Sequence, residues 1–309
     1  MSVTPPVLER PTFDAIRVGD ELGPVRLRVD DHFRRRYGFT VEDATARDAP
    51  DGSAVTPLAV VNDLLRLFNT RFDPDDDFGI HQKEEIWLHA PVPVGEELVL
   101  TGRFTEKYVR RGKGYYVAEA EARSAGDGAL HVRHRITEIA ELPPGTPMGT
   151  GDGGATAART VRGEAAPGRP LARRIADARP GDPVAGPRVE MRQDQMSIFS
   201  NVHAFWRSVH TDLEMAQRAG HERTLAQGLM GASWIGQMAR DLFGETWEHS
   251  GHLDLRFLVP VHAGDVLSTH GVVLERTGGD GSERAELEVW IENQRGERVT
   301  VGWVDGDVR

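Results

Sequence analysis

Two stretches of this chain repeat their apolar residues at helical spacing, and much of the remainder alternates at strand spacing. From Gly228 to Gly244 the sequence reads GLMGASWIGQMARDLFG, and Leu229, Ala232, Ile235, Ala239 and Leu242 recur at intervals of three and four. Met230, Trp234 and Met238 widen that face, as suits a helix wrapped by a sheet, and Gly244 supplies a stop. TPLAVVNDLLRLF, residues 56–68, is the earlier counterpart, and both stretches end in Leu-Phe. Behind each come alternating runs separated by turn residues. GYYVAEAEARS and LHVRHRITEI flank AGDG, and RAELEVWIEN and RVTVGWV flank QRGE, so each pair predicts an antiparallel hairpin.

The order, one long helix followed by long antiparallel strands, therefore occurs twice. EEIWLHAPVPVGEELVLTG (84–102) and LDLRFLVPVHAGDVLSTHG (253–271) share a register: Pro91 with Pro260, Val92 with Val261, Gly95 with Gly264, Leu98 with Leu267 and Gly102 with Gly271. Between the copies, 143–170 is rich in Gly, Pro, Ala and Thr and has no apolar period, which is linker composition. The division is then 1–142, a linker 143–170, and 171–309, two halves of about 140 residues each. The expected fold class is α+β: two antiparallel sheets, each wrapped around a central helix, fused in one chain.

Composition narrows the functional classes. A chain with 39% hydrophobic and 28% charged residues is that of a soluble globular protein, and no apolar run reaches the roughly 20 residues of a membrane helix. The opening MSVTPPVLERPTFD lacks the pattern of a secretion signal, and the absence of cysteine excludes disulfides, thiolate catalysis and Cys-based zinc sites, so a cytoplasmic location is expected. A net charge of −11 argues against nucleic acid as the main partner, and no membrane partner is indicated. The G-x-G-x-x-G at Gly149, Gly151 and Gly154 neither follows a strand nor opens a helix, so it is not read as a dinucleotide loop. GASWIG has Ile235 where a nucleophile elbow needs Gly. His131, His134, His249 and His252 lack a carboxylate at a metal-binding spacing. DPDDD (73–77) reads as a solvated loop, and VRRGKGYY (109–116) as a hairpin turn whose Arg110, Arg111 and Lys113 could touch a phosphate.

HTDLEMAQRAGHERTLAQGLMGASWI (210–235), followed by LDLRFLVPVHAGDVLSTHGVV (253–273), resembles the MaoC-like (R)-specific enoyl-thioester hydratase/dehydratase family of double hot-dog type. The pieces of that resemblance stand in order: His-x-Asp, Ala-Gly, Ala-Gln-Gly opening the helix, then Arg-Phe-x-x-Pro-Val-x-x-Gly-Asp. The first half resembles the degenerate N-terminal partner of such proteins. The resemblance implies a lyase that adds or removes water at the 2,3 position of an acyl thioester carried by coenzyme A or a carrier protein, in fatty acid or polyketide metabolism. It implies no redox cofactor and no metal, and leaves a homodimer open.

It also implies a site. His210 falls on the family's catalytic His, and Gly228 on the residue whose amide meets the thioester oxygen. Asn201, His203, Phe205, Trp206 and Gln227 would line the substrate pocket. The family's Asp, five positions before the His, falls on Phe205, and its Asn and Pro on Arg207 and Ser208. The acid has therefore to come from elsewhere, with Asp194, Asn201, His203, Glu42 and Asp43 as candidates, or the chemistry needs one proton-transferring group. Two other outcomes fit a scaffold without that Asp: an elimination, isomerisation or cyclisation on a specialised metabolite, or a non-catalytic acyl-binding subunit. Asp212 reads as an N-cap for LEMAQRAG.

Overall fold

The computed structural model describes residues 8–73, 79–140, 159–200, 207–279 and 282–308. The linker residues 141–158 with the Gly149–Gly154 motif, most of DPDDD, and the predicted pocket residues Asn201, His203, Phe205 and Trp206 lie outside the described residues.

The first half runs β1 (Glu21–Arg28), α1 (Asp31–Thr40), α2 (Ala44–Arg47), α3 (Leu58–Leu65), β2 (Ile80–Leu88), β3 (Glu97–Arg110), β4 (Lys113–Ser124) and β5 (Leu130–Ala140). The second runs β6 (Pro183–Glu190), α4 (Gln193–Ser200), α5 (Leu213–Arg218), α6 (Gly228–Phe243), α7 (Trp247–Ser250), β7 (His252–Phe257), β8 (Val266–Gly279), β9 (Ser282–Asn293) and β10 (Arg298–Val308). The predicted helix 228–244 is α6, closed by Gly244 at φ +73°. The predicted helix 56–68 is shorter: α3 is α-helical over Leu58–Leu65 and tightens to 3-10 geometry over Arg66–Thr70. Both predicted hairpins form, as β4–β5 and β9–β10.

The strand order is β1-β3-β4-β5-β2-β7-β10-β9-β8-β6, a single sheet of ten strands. Read inward from both edges, the order is the same in each half. The expected pair of sheets thus joins edge to edge where β2 meets β7 antiparallel, Glu84 opposite Leu255 and Ile86 opposite Leu253. α3 packs on β3, β4 and β5, and α6 packs on β6, β7, β8, β9 and β10. The two helices also pack on each other, Gly236 being so close to Leu58 that a side chain there has no room.

The repeat is visible in the backbone. Gly95 and Gly264 both take left-handed φ, +97° and +84°, at the same turn after Pro-Val. Val92 bonds to Val55 just before α3, and Val261 to Ala226 just before α6 (2.9 and 2.8 Å). Two residues further on, Pro57 in the first half stands where Gly228 stands in the second. Proline has no backbone N–H, so the first half cannot offer the amide donor that Gly228 does.

The halves are clasped by polar contacts as well. Trp234 and Gln237 of α6 both donate to the Val41 carbonyl (2.9 and 3.0 Å), and Arg240 grips Asp43 with both guanidinium nitrogens (2.8 and 3.0 Å).

Candidate functional site

His210 ends a turn tied by Ser208, whose carbonyl accepts from Thr211 and Asp212 (3.0 and 2.9 Å) and whose Oγ accepts from the His210 amide (3.2 Å). Gln193 of α4 donates to the His210 carbonyl (3.0 Å). The imidazole Nδ1 lies 2.9 Å from the carbonyl oxygen of Leu225. A carbonyl only accepts, so Nδ1 carries the hydrogen and Nε2 keeps its lone pair. Burial lowers the His210 pKa to about 4, the Leu225 carbonyl opposes this, and the charges of Arg66 and His81 add to the lowering. At neutral pH His210 is therefore an uncharged base.

The Leu225 anchor lies three residues before Gly228, which opens α6. A Cβ on Gly228 would sit 2.7–2.9 Å from three ring carbons of Phe257, so a larger residue there must push that ring aside. Gln227 is the N-cap but its side chain makes no capping bond, and its Oε1 is buried without a hydrogen-bond partner among the described residues. The first-turn amides of a helix carry partial positive charge and lack intrahelical partners, which suits a developing oxyanion.

Asp212 caps α5, accepting from the Met215 amide at 3.1 Å, and pairs with Arg207 at 2.6 Å. The carboxylates weighed as replacement acids are engaged elsewhere. Asp43 caps α2 and holds Arg240, and Asp194 pairs with Arg192 on the surface. Glu42 accepts from Gln195 at 3.3 Å. Ser233 of GASWIG lies within α6 and donates to the Leu229 carbonyl. Arg110, Arg111 and Lys113 sit at the β3–β4 turn, with Arg111 and Gly112 in left-handed conformations.

The first half supplies the groups that sequence reasoning missed. His81, at the start of β2, sets its ring edge-on to Phe257 at 4.6 Å between centroids. Its Nε2 is 2.9 Å from Oε2 of Glu84, whose Oε1 is 2.6 Å from Nδ1 of His134. His134 thus has a carboxylate partner after all, fifty residues away in sequence and on the neighbouring strand. Burial opposes ionisation of Glu84, but the two imidazoles outweigh it and hold its carboxyl below the usual range. Arg66, where α3 ends, is a cation within electrostatic reach of His210; burial brings it down to about 10, against the pull of Asp63. No spacing in the sequence marks these residues, because the cluster is made across the β2–β5 and β2–β7 pairings.

A recess of about 500 Å³ opens on the first half beside Glu21, Thr101, Arg103, Glu119, Glu121 and Arg133, and contains none of these groups.

Known proteins share this fold. Residues 176–293 match the family model described as MaoC like domain. No curated protein sequence matches the chain significantly. Among solved structures, a MaoC-like dehydratase superposes with a TM-score of 0.70 at 16% identity, covering 96% of this chain and 99% of that one. A conserved hypothetical protein from Mycobacterium tuberculosis with a double hotdog fold gives 0.65 at 13% identity, covering 96% and 98%. The peroxisomal multifunctional enzyme type 2 from Drosophila melanogaster gives 0.64 at 16% identity, where the match covers 93% of this chain and 48% of that longer one. The chain is thus an α+β double hot-dog protein whose second half, over residues 176–293, is similar to the MaoC like domain.

Proposed function

We infer that the protein is a hydro-lyase adding or removing water at the 2,3 position of an acyl thioester, bound to coenzyme A or a carrier protein. The observation that carries this reading is the pairing of His210 with the start of α6. The Leu225 carbonyl fixes the imidazole so that Nε2 is the basic atom, and Gly228 follows three residues later. A base for water and a donor for the thioester oxygen are the two groups that hydration needs most. The MaoC-like match of the second half supports the same reaction class. In this reading His210 is the general base, the Gly228 amide steadies the oxyanion, and Gln227 lines the pocket with Asn201, His203, Phe205 and Trp206.

Phe205, at the position of the family's Asp, favours a second reading: a hot-dog scaffold turned to elimination, isomerisation or cyclisation of another metabolite. The test is hydration of a short trans-2-enoyl-CoA, followed as loss of enoyl absorbance, for the wild type and His210→Ala. Turnover that falls by roughly 10²–10⁴-fold in the variant supports the hydratase reading. A wild type inert on several chain lengths overturns it and leaves the second.

A further inference from the structure

We propose that His81, oriented by Glu84, is the second proton-transferring group of this site and takes the place of the acid that position 205 lacks. The proposal rests on the hydratase reading and deepens it.

The backbone has been bent to present this group. Along β2, Glu84, Ile86 and Leu88 face the helices, so strict alternation would send His81 to the opposite side. The pairing with β5 slips between His81 and Lys83, placing an extra residue in β2. Such a bulge reverses the alternation and re-aims the side chain before it. His81 consequently shares the inner face with Glu84, and only 14% of its side chain is exposed. Glu84 is fully buried and accepts from two imidazoles at once. A carboxylate so placed fixes the ring and the tautomer of its histidine and stabilises the imidazolium.

With Nε2–H given to Glu84, Nδ1 is the working nitrogen of His81, and no described residue bonds to it. Phe257 links the two parts of the site: His81 meets its ring edge-on, and the same ring closes over Gly228. The charged and titratable groups at His81 include Glu84 on its own strand, and His134 and Glu138 on β5, where Glu138 is the Cα partner of His81 and is bonded by the Tyr116 hydroxyl of β4; His81 and Arg66 each act electrostatically on His210.

His210 Nε2 takes one proton from water as the water oxygen bonds to C3. The C2–C3 π pair shifts toward C2 and the thioester oxygen, and Nδ1–H of protonated His81 delivers its proton to C2. Water has been added, His81 is neutral and His210 protonated, and one proton passing through solvent restores both. Dehydration runs the same transfers backwards.

The experiment compares wild type, His81→Gln and Glu84→Gln in crotonyl-CoA hydration across pH, and in exchange of the C2 hydrogen of 3-hydroxybutyryl-CoA in D2O. Gln at 81 keeps a donor for Glu84. The expectation for His81→Gln is a kcat lower by roughly 10²–10⁴-fold, KM within about threefold, C2 exchange lowered equally, and one limb missing from the pH–rate profile. Glu84→Gln should keep that limb but move it to lower pH, since the imidazolium loses its counter-charge; this variant carries the test if His81→Gln does not fold. A wild-type rate and profile in both variants overturns the role of His81 and leaves the hydratase reading intact. A wild type that neither hydrates nor exchanges overturns both.

Discussion

Replacing Asp43 by Ala should cost this protein much of its stability, because a single carboxylate does two jobs at the contact between the halves. It caps α2, accepting from the amides of Thr45 and Ala46 at 3.0 and 3.2 Å. It also takes both ends of the Arg240 guanidinium at 2.8 and 3.0 Å while itself 1% exposed. Loss of a cap costs about 1 kcal/mol. Stranding a buried partner costs about 3–5 kcal/mol, and Arg240, with 21% of its side chain exposed, belongs at the lower end because water recovers part of its hydration. The sum is about 4 kcal/mol, a large share of the 5–15 kcal/mol that holds an ordinary domain together. At roughly 2–4 °C per kcal/mol the melting temperature should fall by about 10 °C. Urea unfolding at pH 7, followed by tryptophan fluorescence, gives the free energy directly. Asp43→Ala/Arg240→Ala removes the stranded cation, so it should unfold later than Asp43→Ala alone, with a coupling of about 2 kcal/mol. A single-variant loss under about 1 kcal/mol, or additive effects in the double variant, would refute the claim that this pair clasps the halves.

Two further outcomes follow from the site. Gly228→Ala gains up to about 1 kcal/mol in helix propensity but sets a methyl against Phe257 at 2.7 Å, for about 1–3 kcal/mol of strain. A lower melting temperature with kcat reduced more than tenfold, at a KM near wild type, is expected from steady-state kinetics, since displaced amides miss the oxyanion. His210 has its pKa lowered from 6.5 to about 4, so on acidification the unfolded chain binds its proton first. Its contribution to stability is complete above about pH 6.5 and declines as pH falls toward 4. Urea midpoints at pH 7.5 and 5 should differ more in the wild type than in His210→Gln; equal differences would show an imidazole open to solvent.

Much of the architecture was legible in the residues. Leu229, Ala232, Ile235, Ala239 and Leu242 fix the buried face of α6, and the Pro-Val and Gly register exposes the duplication before any coordinates. Helix length was less so: nothing in the alternation of TPLAVVNDLLRLF distinguishes α from 3-10 geometry, which begins at Arg66. Part of the candidate site could be proposed from the sequence, since His210 and Gly228 stand eighteen residues apart in one segment. His81, Glu84 and His134 were hidden because their partnership depends on strand register and on a bulge that reverses the facing of His81. Periodicity assigns His81 to the wrong side, and a reading of metal spacings passes over His134, whose carboxylate comes from another strand.

The seam where β2 meets β7 has a consequence for symmetry. Two identical subunits joined about a two-fold axis must present self-complementary edges, each contact appearing twice. This seam is free of that demand: Trp87 stacks on His252, and Lys83 sits between Glu85 and Asp254, which face each other across the pairing. Covalent linkage also makes the meeting of the two edges intramolecular, so it does not weaken on dilution. Each half is then at liberty to specialise, one keeping a glycine at its helix start and the other a proline, one holding His210 and the other His81. A duplicated chain of this kind can have one composite centre where a symmetric pair would be obliged to build two.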